Sequence, residues 1–326
     1  MKPKLLVVEC WGLGDLAIAT PFLQAAGERY EVTLLAKPYA LDLQPRFWPE
    51  VKVVPFTAPW TVFHHKYRLW RWPWWTMLRT LRELARERYD LGLSARWDPR
   101  DHLLLWLAGV RQRVGFQRAG SGLFLTRGLP RTPTATHQYE FWRRLAAAVD
   151  LKIPVREALL ASPRRRAGGV LIHTGAGQPV RVWPLDRYQR LAAQLRLAGH
   201  PVRIACDPNQ RAWWLAAGEA GVLTPGTVTE LLHAIDAAAC LIANDSGPGH
   251  LAAFCGLPTF TLFGPQLPQR FAPLNAASEW IEGWACPYRP CSDYCRFAEP
   301  RCLLDLSEKS VGDRALAFAG RHLPHA

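Results

Sequence analysis

Short apolar runs alternate with helix-periodic stretches twice along this chain of 326 residues. That doubled alternation limits the fold more than any other feature. In the first round residues 4–9, 31–36, 52–56 and 90–94 read as strands, with 15–28, 76–88 and 103–107 as helices. The second round reads 169–174, 202–205, 240–244 and 259–263 as strands. Its helices are 185–198, 211–220, 229–239, 249–255 and a last one near 308–321. Apolar runs without polar alternation suit strands covered on both faces, as in parallel sheets flanked by helices. The fold class expected is α/β: two doubly wound, Rossmann-like domains, residues 1–160 and 161–326. The break falls in 152–169, where Pro154, Pro163, Gly168 and Gly169 mark a linker. Within it Arg164, Arg165 and Arg166 read as a solvated turn. The last helix is long enough to cross back onto the first domain.

A composition of 49% hydrophobic and 21% charged residues is that of a globular chain, which excludes disorder and coiled coil. No uncharged apolar run approaches about 18 residues, so no membrane span is expected. The start, Met1-Lys2-Pro3-Lys4, is charged too soon for a signal peptide, which points to a cytoplasmic protein. The formal charge is +13, and residues 1–160 hold 24 basic against 14 acidic side chains, a net of +10. That half should face an acidic partner. Trp60, Trp70, Trp72, Trp74 and Trp75 crowd a segment, 60–88, that also carries seven Lys/Arg and two Glu. Tryptophan with basic residues suits an anionic bilayer interface. The same mixture can stack sugars or bases, or simply fill a core. With no recognised nucleic-acid module present, no nucleic acid is expected.

In open α/β sheets ligands bind beyond the carboxyl ends of strands, so the loops there carry the functional signal. After the first strand stand Cys10-Trp11-Gly12-Leu13-Gly14-Asp15-Leu16-Ala17, formally a G-x-G-x-x-A dinucleotide fingerprint. Asp15 argues against that use, because a carboxylate at the helix start repels the pyrophosphate. The acid expected after the second strand is missing as well, since Ala36-Lys37-Pro38 occupies its place. Asp15 admits two roles, a helix cap or a base that deprotonates an acceptor hydroxyl. A second Gly-rich turn, Asn244-Asp245-Ser246-Gly247-Pro248-Gly249-His250, opens a short helix. There the amides of Ser246, Gly247 and Gly249 suit phosphate oxygens. A third, His173-Thr174-Gly175-Ala176-Gly177, is followed by Arg181-Val182-Trp183-Pro184. Arg181 fits a diphosphate clamp or a solvated loop cation.

Together these loops, with Leu262-Phe263-Gly264-Pro265, resemble glycosyltransferase family 9, the ADP-heptose:lipopolysaccharide heptosyltransferases. The resemblance spans about residues 4–305. It implies a GT-B fold, with two Rossmann-like domains facing a cleft. It also implies inverting transfer with no metal needed for catalysis. The implied donor is a nucleotide sugar, ADP-heptose, and the acceptor a lipid-linked acidic saccharide such as lipopolysaccharide core. The enzyme would then sit peripherally at the cytoplasmic face of the inner membrane, on its anionic surface. By matching motifs Asp15 is the implied general base, with Gly12 and Gly14 beside it on the acceptor side; Trp70 and Trp72 are read as acceptor contacts from the aromatic, basic composition of their segment. His173, Thr174, Gly175, Arg181, Asp245, Ser246, Gly247, Gly249 and His250 lie on the donor side. Two departures stand out. Arg181 falls where the family typically has Lys. Cys206-Asp207-Pro208-Asn209-Gln210 replaces a Gly-rich turn with Glu, which leaves the nucleobase open.

Cys286, Cys291, Cys295 and Cys302 form one cluster, spaced x4, x3 and x6. A structural zinc or iron, free thiols and disulfides are all compatible with it. Cys10, Cys206, Cys240 and Cys255 read as small core residues. The competing functions are transfer from another nucleotide sugar or to a protein, an NAD(P)-dependent oxidoreductase resting on Gly12, Gly14 and Ala17, and a basic nucleic-acid-binding protein.

Overall fold

The computed structural model describes residues 2–62, 66–133, 135–159, 167–291 and 294–323. The arginine triplet at 164–166 lies outside them. The chain divides into two units, Met1–Val155 and Arg156–Ala326.

The first unit runs β1 (Lys4–Glu9), α1 (Leu13–Arg29), β2 (Glu31–Ala36), α2 (Ala40–Phe47), β3 (Lys52–Pro55), α3 (Trp74–Glu87), β4 (Leu91–Ser94), α4 (Pro99–Leu107), β5 (Gln112–Phe116), β6 (Arg127–Leu129) and α5 (Gln138–Ala148). Its six strands pair in the order β3-β2-β1-β4-β5-β6, all parallel. Leu5, Leu6, Val7 and Val8 of β1 are fully buried, because helices cover both faces of the central strand. On one side α1 and α5 pack together, with Phe22 against Trp142 at 4.9 Å between ring centres. Pro73 stands at the N-cap of α3, where its missing N–H costs no helical bond. Asp98 caps α4, its Oδ1 accepting from the Arg100 amide at 2.9 Å.

The second unit begins with the single turn α6 (Arg156–Leu159). It continues with β7 (Gly169–His173), α7 (Leu185–Leu197), β8 (Val202–Ala205), α8 (Arg211–Ala216), α9 (Val228–Asp236), β9 (Ala238–Asn244), α10 (Gly247–Phe254), β10 (Thr259–Phe263), α11 (Pro268–Phe271), β11 (Glu279–Glu282), α12 (Arg301–Leu304) and α13 (Glu308–His322). The sheet order is β11-β10-β9-β7-β8, again parallel throughout. The last helix, α13, packs on α7. Its apolar stripe of Val311, Ala315, Phe318 and Ala319 is buried in the second unit's own core, with Trp183, Tyr188 and Phe260. Full burial of a side chain the size of Phe318 stabilises by about 1.5–3 kcal/mol.

In each sheet the chain first builds outward from its opening strand, then crosses to that strand's other side. The order therefore reverses between β1 and β4, and between β7 and β9. At such a reversal the two following loops diverge and leave a crevice at the carboxyl end of the strands. The loops read as functional from sequence follow β1, β7 and β9, three of these four strands.

Candidate functional site

Each crevice holds polar groups that the sheet brings together from distant parts of the chain. In the first unit Asp15 lies in the first turn of α1. Its Oδ2 accepts from the Gly12 amide at 3.0 Å, and its own amide donates to the Gly12 carbonyl at 3.1 Å. This is a cap at the helix start, so the capping geometry is present. Any Cβ on Gly12 would come within 3.0 Å of that Oδ2, which suits glycine there. The other oxygen, Oδ1, forms an ion pair with Arg96 from the loop after β4. Gly14 lies on the same first turn.

Sequence reasoning missed three partners here. Arg96, with its side chain 14% exposed, has Nε 3.7 Å from Glu9 Oε2 and its guanidinium 5.3 Å from the Trp11 ring centre. Burial opposes its charge, yet Asp15 and Glu9 hold its pKa above the usual arginine range. Glu9 ends β1 and is sealed from solvent. Burial pushes its carboxyl up to about 8, against the pull of Arg96. Asp101 of α4 is equally sealed, and burial raises it to about 6. Its oxygens accept from the Trp11 indole at 2.9 Å and the Trp60 indole at 3.2 Å. Lys37, expected only as a missing acid, donates to the Thr61 carbonyl at 3.3 Å, and burial lowers its pKa. The signal that would have found them is charge at strand ends: Glu9 closes an apolar run, and Arg96 stands two residues beyond another.

In the second unit Asn244, the last residue of β9, is fully buried. Its Oδ1 accepts from the Trp183 amide at 3.0 Å and the Tyr188 hydroxyl at 2.9 Å, while Nδ2 donates to the Thr174 carbonyl at 2.9 Å. The Thr174 hydroxyl donates to Gln210 at 2.8 Å and accepts from the Trp214 indole at 3.2 Å. Thr174 thus shapes its loop with the side chain already engaged. A Cβ on Gly175 would fall 2.2 Å from the Asp207 carboxyl, so glycine suits this position with that side chain where it is. His173 is buried, and burial lowers its pKa against the pull of Asp207. Asp245 is 4% exposed. Its Oδ2 lies 3.9 Å from Arg181 Nη1, and its Oδ1 lies 3.8 Å from His250 Nε2. The sheet therefore brings Arg181, Asp245 and His250 into one cluster. At the start of α10 the Gly249 and His250 amides turn back onto the Ser246 carbonyl, at 3.1 and 3.5 Å. The Gly249 amide thus already has an acceptor within the helix. Ser246 and Gly247 remain as the leading amides of the helix.

The aromatic segment is divided. Trp60 is core, and Trp72 is half-buried between Trp60 and Trp74, at 5.7 and 5.3 Å. Its indole donates to the Lys66 carbonyl at 3.3 Å, so Trp72 is not an open acceptor surface. Trp70 and Trp75 are 78% and 82% exposed.

The four cysteines line one small cavity with Val180, Trp284 and Phe297. All are thiols, and among the described residues no three His, Cys, Asp or Glu side chains form a group able to hold a metal ion. Of the three states left open, the structure shows free thiols and gives no support to a structural zinc or iron. The segment is held otherwise. The Cys291 amide donates to the Pro265 carbonyl at 3.0 Å, Arg289 donates to the Gln266 carbonyl at 2.6 Å, and Phe297 packs on Trp284 and Tyr288. No helix among the described residues is long and apolar enough to cross a membrane.

With this geometry established, the chain can be compared with known proteins. Residues 77–298 match the model of glycosyltransferase family 9 (heptosyltransferase). Lipopolysaccharide heptosyltransferase 1 of Pseudomonas aeruginosa is 28% identical over 271 residues, which is 74% of this chain and 76% of that protein. Among solved structures, E. coli heptosyltransferase WaaC with ADP superposes with a TM-score of 0.73 at 18% identity, over 97% of this chain and 100% of that one. E. coli ADP-heptose lps heptosyltransferase II gives 0.72 at 20%, over 98% and 99%.

Proposed function

Since the chain belongs to glycosyltransferase family 9, the heptosyltransferases, we propose that it moves heptose from ADP-heptose to a lipid-linked acidic saccharide of the lipopolysaccharide core, with inversion and without a catalytic metal. Asp15, the residue on which this reading turns, stands at the strand-order reversal of the first sheet with its carboxylate oriented by Gly12 and Arg96. In this reading Asp15 accepts the proton of the acceptor hydroxyl. The oxygen then forms its bond to the anomeric carbon as the bond to the diphosphate breaks, and ADP leaves. Arg181 and the Ser246 and Gly247 amides take the charge that develops on the leaving diphosphate. Asp245 and His250 face the sugar and its attached phosphate. Gly12 and Gly14 keep the acceptor-side turn close to the backbone. The net +10 of residues 1–160 and the exposed Trp70 and Trp75 support an anionic membrane surface as the place where the acceptor is met.

The test is ADP release from ADP-heptose with heptose-deficient lipopolysaccharide as acceptor. Asp15→Asn should lower kcat by about 10²–10⁴-fold and leave the ADP-heptose Kd within about threefold, because an amide keeps the shape but takes no proton. A kcat above a tenth of wild type makes Asp15 a cap alone.

A further inference from the structure

Asp101 has no place in the reaction just described, yet its setting is unusual. It is fully buried, and a buried carboxylate is costly where an apolar side chain of similar volume would pack as well. Both oxygens are engaged by tryptophans far apart in sequence. Oδ2 accepts from the Trp11 indole at 2.9 Å, with the Ser94 hydroxyl at 3.5 Å, and Oδ1 accepts from the Trp60 indole at 3.2 Å.

Trp11 is the residue immediately before the turn that carries Asp15. Its amide donates to Glu9 Oε1 at 3.3 Å, its carbonyl accepts from the Tyr39 hydroxyl at 3.2 Å, and its ring lies under Arg96. Where Trp11 sits therefore sets both the start of α1 and the guanidinium that pairs with Asp15. Trp60, on the other oxygen, is the inner end of the ring series Trp60, Trp72, Trp74 that leads out to the exposed aromatic segment. One carboxylate thus joins the turn to that segment. We propose that Asp101 is a positioning residue that fixes the turn presenting Asp15 through Trp11, and anchors that turn to the aromatic segment through Trp60. The value of this for transfer rests on the reading of Asp15 as the base, but the positioning itself does not.

The experiment is hydrogen exchange on the full chain, read at residues 10–16. Asp101→Asn leaves one indole without its acceptor. Trp11→Phe and Trp60→Phe each remove one N–H and keep a ring. All three should raise exchange at 10–16 at least tenfold, with exchange in β9 unchanged. Trp60→Phe is decisive, because it alters no residue of the turn or of α4. In the transfer assay each should lower kcat and leave KM for ADP-heptose unchanged. Unchanged exchange at 10–16 in folded Asp101→Asn and Trp60→Phe would overturn the proposal and make Asp101 a core residue. If Asp101→Asn does not fold, the two tryptophan variants decide alone. If Asp15→Asn retains its kcat, the base reading falls while the exchange result still decides the positioning.

Discussion

Glu9 shows how far one side chain can be displaced by its place at the end of a central strand. Burial raises its carboxyl to about 8, whereas the unfolded chain titrates it near about 4.3. The native state therefore holds the proton more tightly than the unfolded one. The stability this gives is fully present below the ordinary carboxylate range and is lost as pH rises to about 8. Glu9→Gln cannot titrate. Its urea midpoint should gain on wild type steadily from about pH 4 to about pH 8, and a difference that does not change with pH would remove Glu9 as the titrating group. In the second crevice, Arg181→Ala should raise the ADP-heptose Kd by about 10- to 100-fold, as for a charge-assisted contact of about 1.5–3 kcal/mol. Arg181→Lys should recover part of it. Equal affinity for the Ala variant in calorimetry would take Arg181 out of the site. Asp15, Arg181 and Asp245 were singled out because each stands in or beside a glycine-bearing loop that follows a strand. Arg96 and Asp101 were not, because Asp15 and Trp11, which they meet at the first turn, lie across the β1–β4 pairing, 81 and 90 residues away in sequence. Charge past a strand end marks Arg96, but nothing local in 94–101 names its partner.

At the scale of the element, α3 carries the argument. Met77, Thr80 and Leu84 face the core, while Trp75, Leu78, Arg79, Arg82 and Arg86 share the exposed side. Under the proposed function, this exposed mixture of tryptophan, leucine and arginine is the part of the helix that would meet an anionic surface. Trp70→Ser, Trp75→Ser, Arg79→Ala and Arg82→Ala combined should lower sedimentation with anionic vesicles at least tenfold. Each cation near such a surface contributes about 1 kcal/mol. The urea midpoint should barely move, since all four are exposed. Wild type that ignores vesicles at low salt would assign the segment to another partner. Trp72 must be left in place, because it belongs to the ring series under the surface. Helix periodicity made α3 legible from 76 onward, two residues after its observed start at Trp74. By contrast β5, with Gln112, Arg113 and Gly115 among its five residues, and the three-residue β6 lacked the apolar run that betrays a strand. Their place comes from pairing at the sheet edge.

For the whole molecule, two sheets of like construction were foreseeable from the doubled alternation, and the strand order was not, since nothing in a strand's composition names its neighbour. The cysteine-rich segment was ambiguous for a related reason. Its aromatic packing assembles from Trp284, Tyr288 and Phe297, and spacing alone left metal, free thiols and disulfides open. A thermal scan separates the rival cofactor readings. ADP at 100 times its Kd should add about 2.7 kcal/mol of stability, and NADPH at the same concentration should add none. The reverse result would restore the oxidoreductase.

Asn244 carries one more consequence. A single buried amide already ties the loop after β7 to the start of α7, through Thr174, Trp183 and Tyr188. In the proposed donor site the nucleotide would therefore meet a frame whose hydrogen bonds already exist. Little chain has to be ordered on binding, so the heat-capacity change should be that of the ligand's own buried surface, without the large negative value of coupled folding.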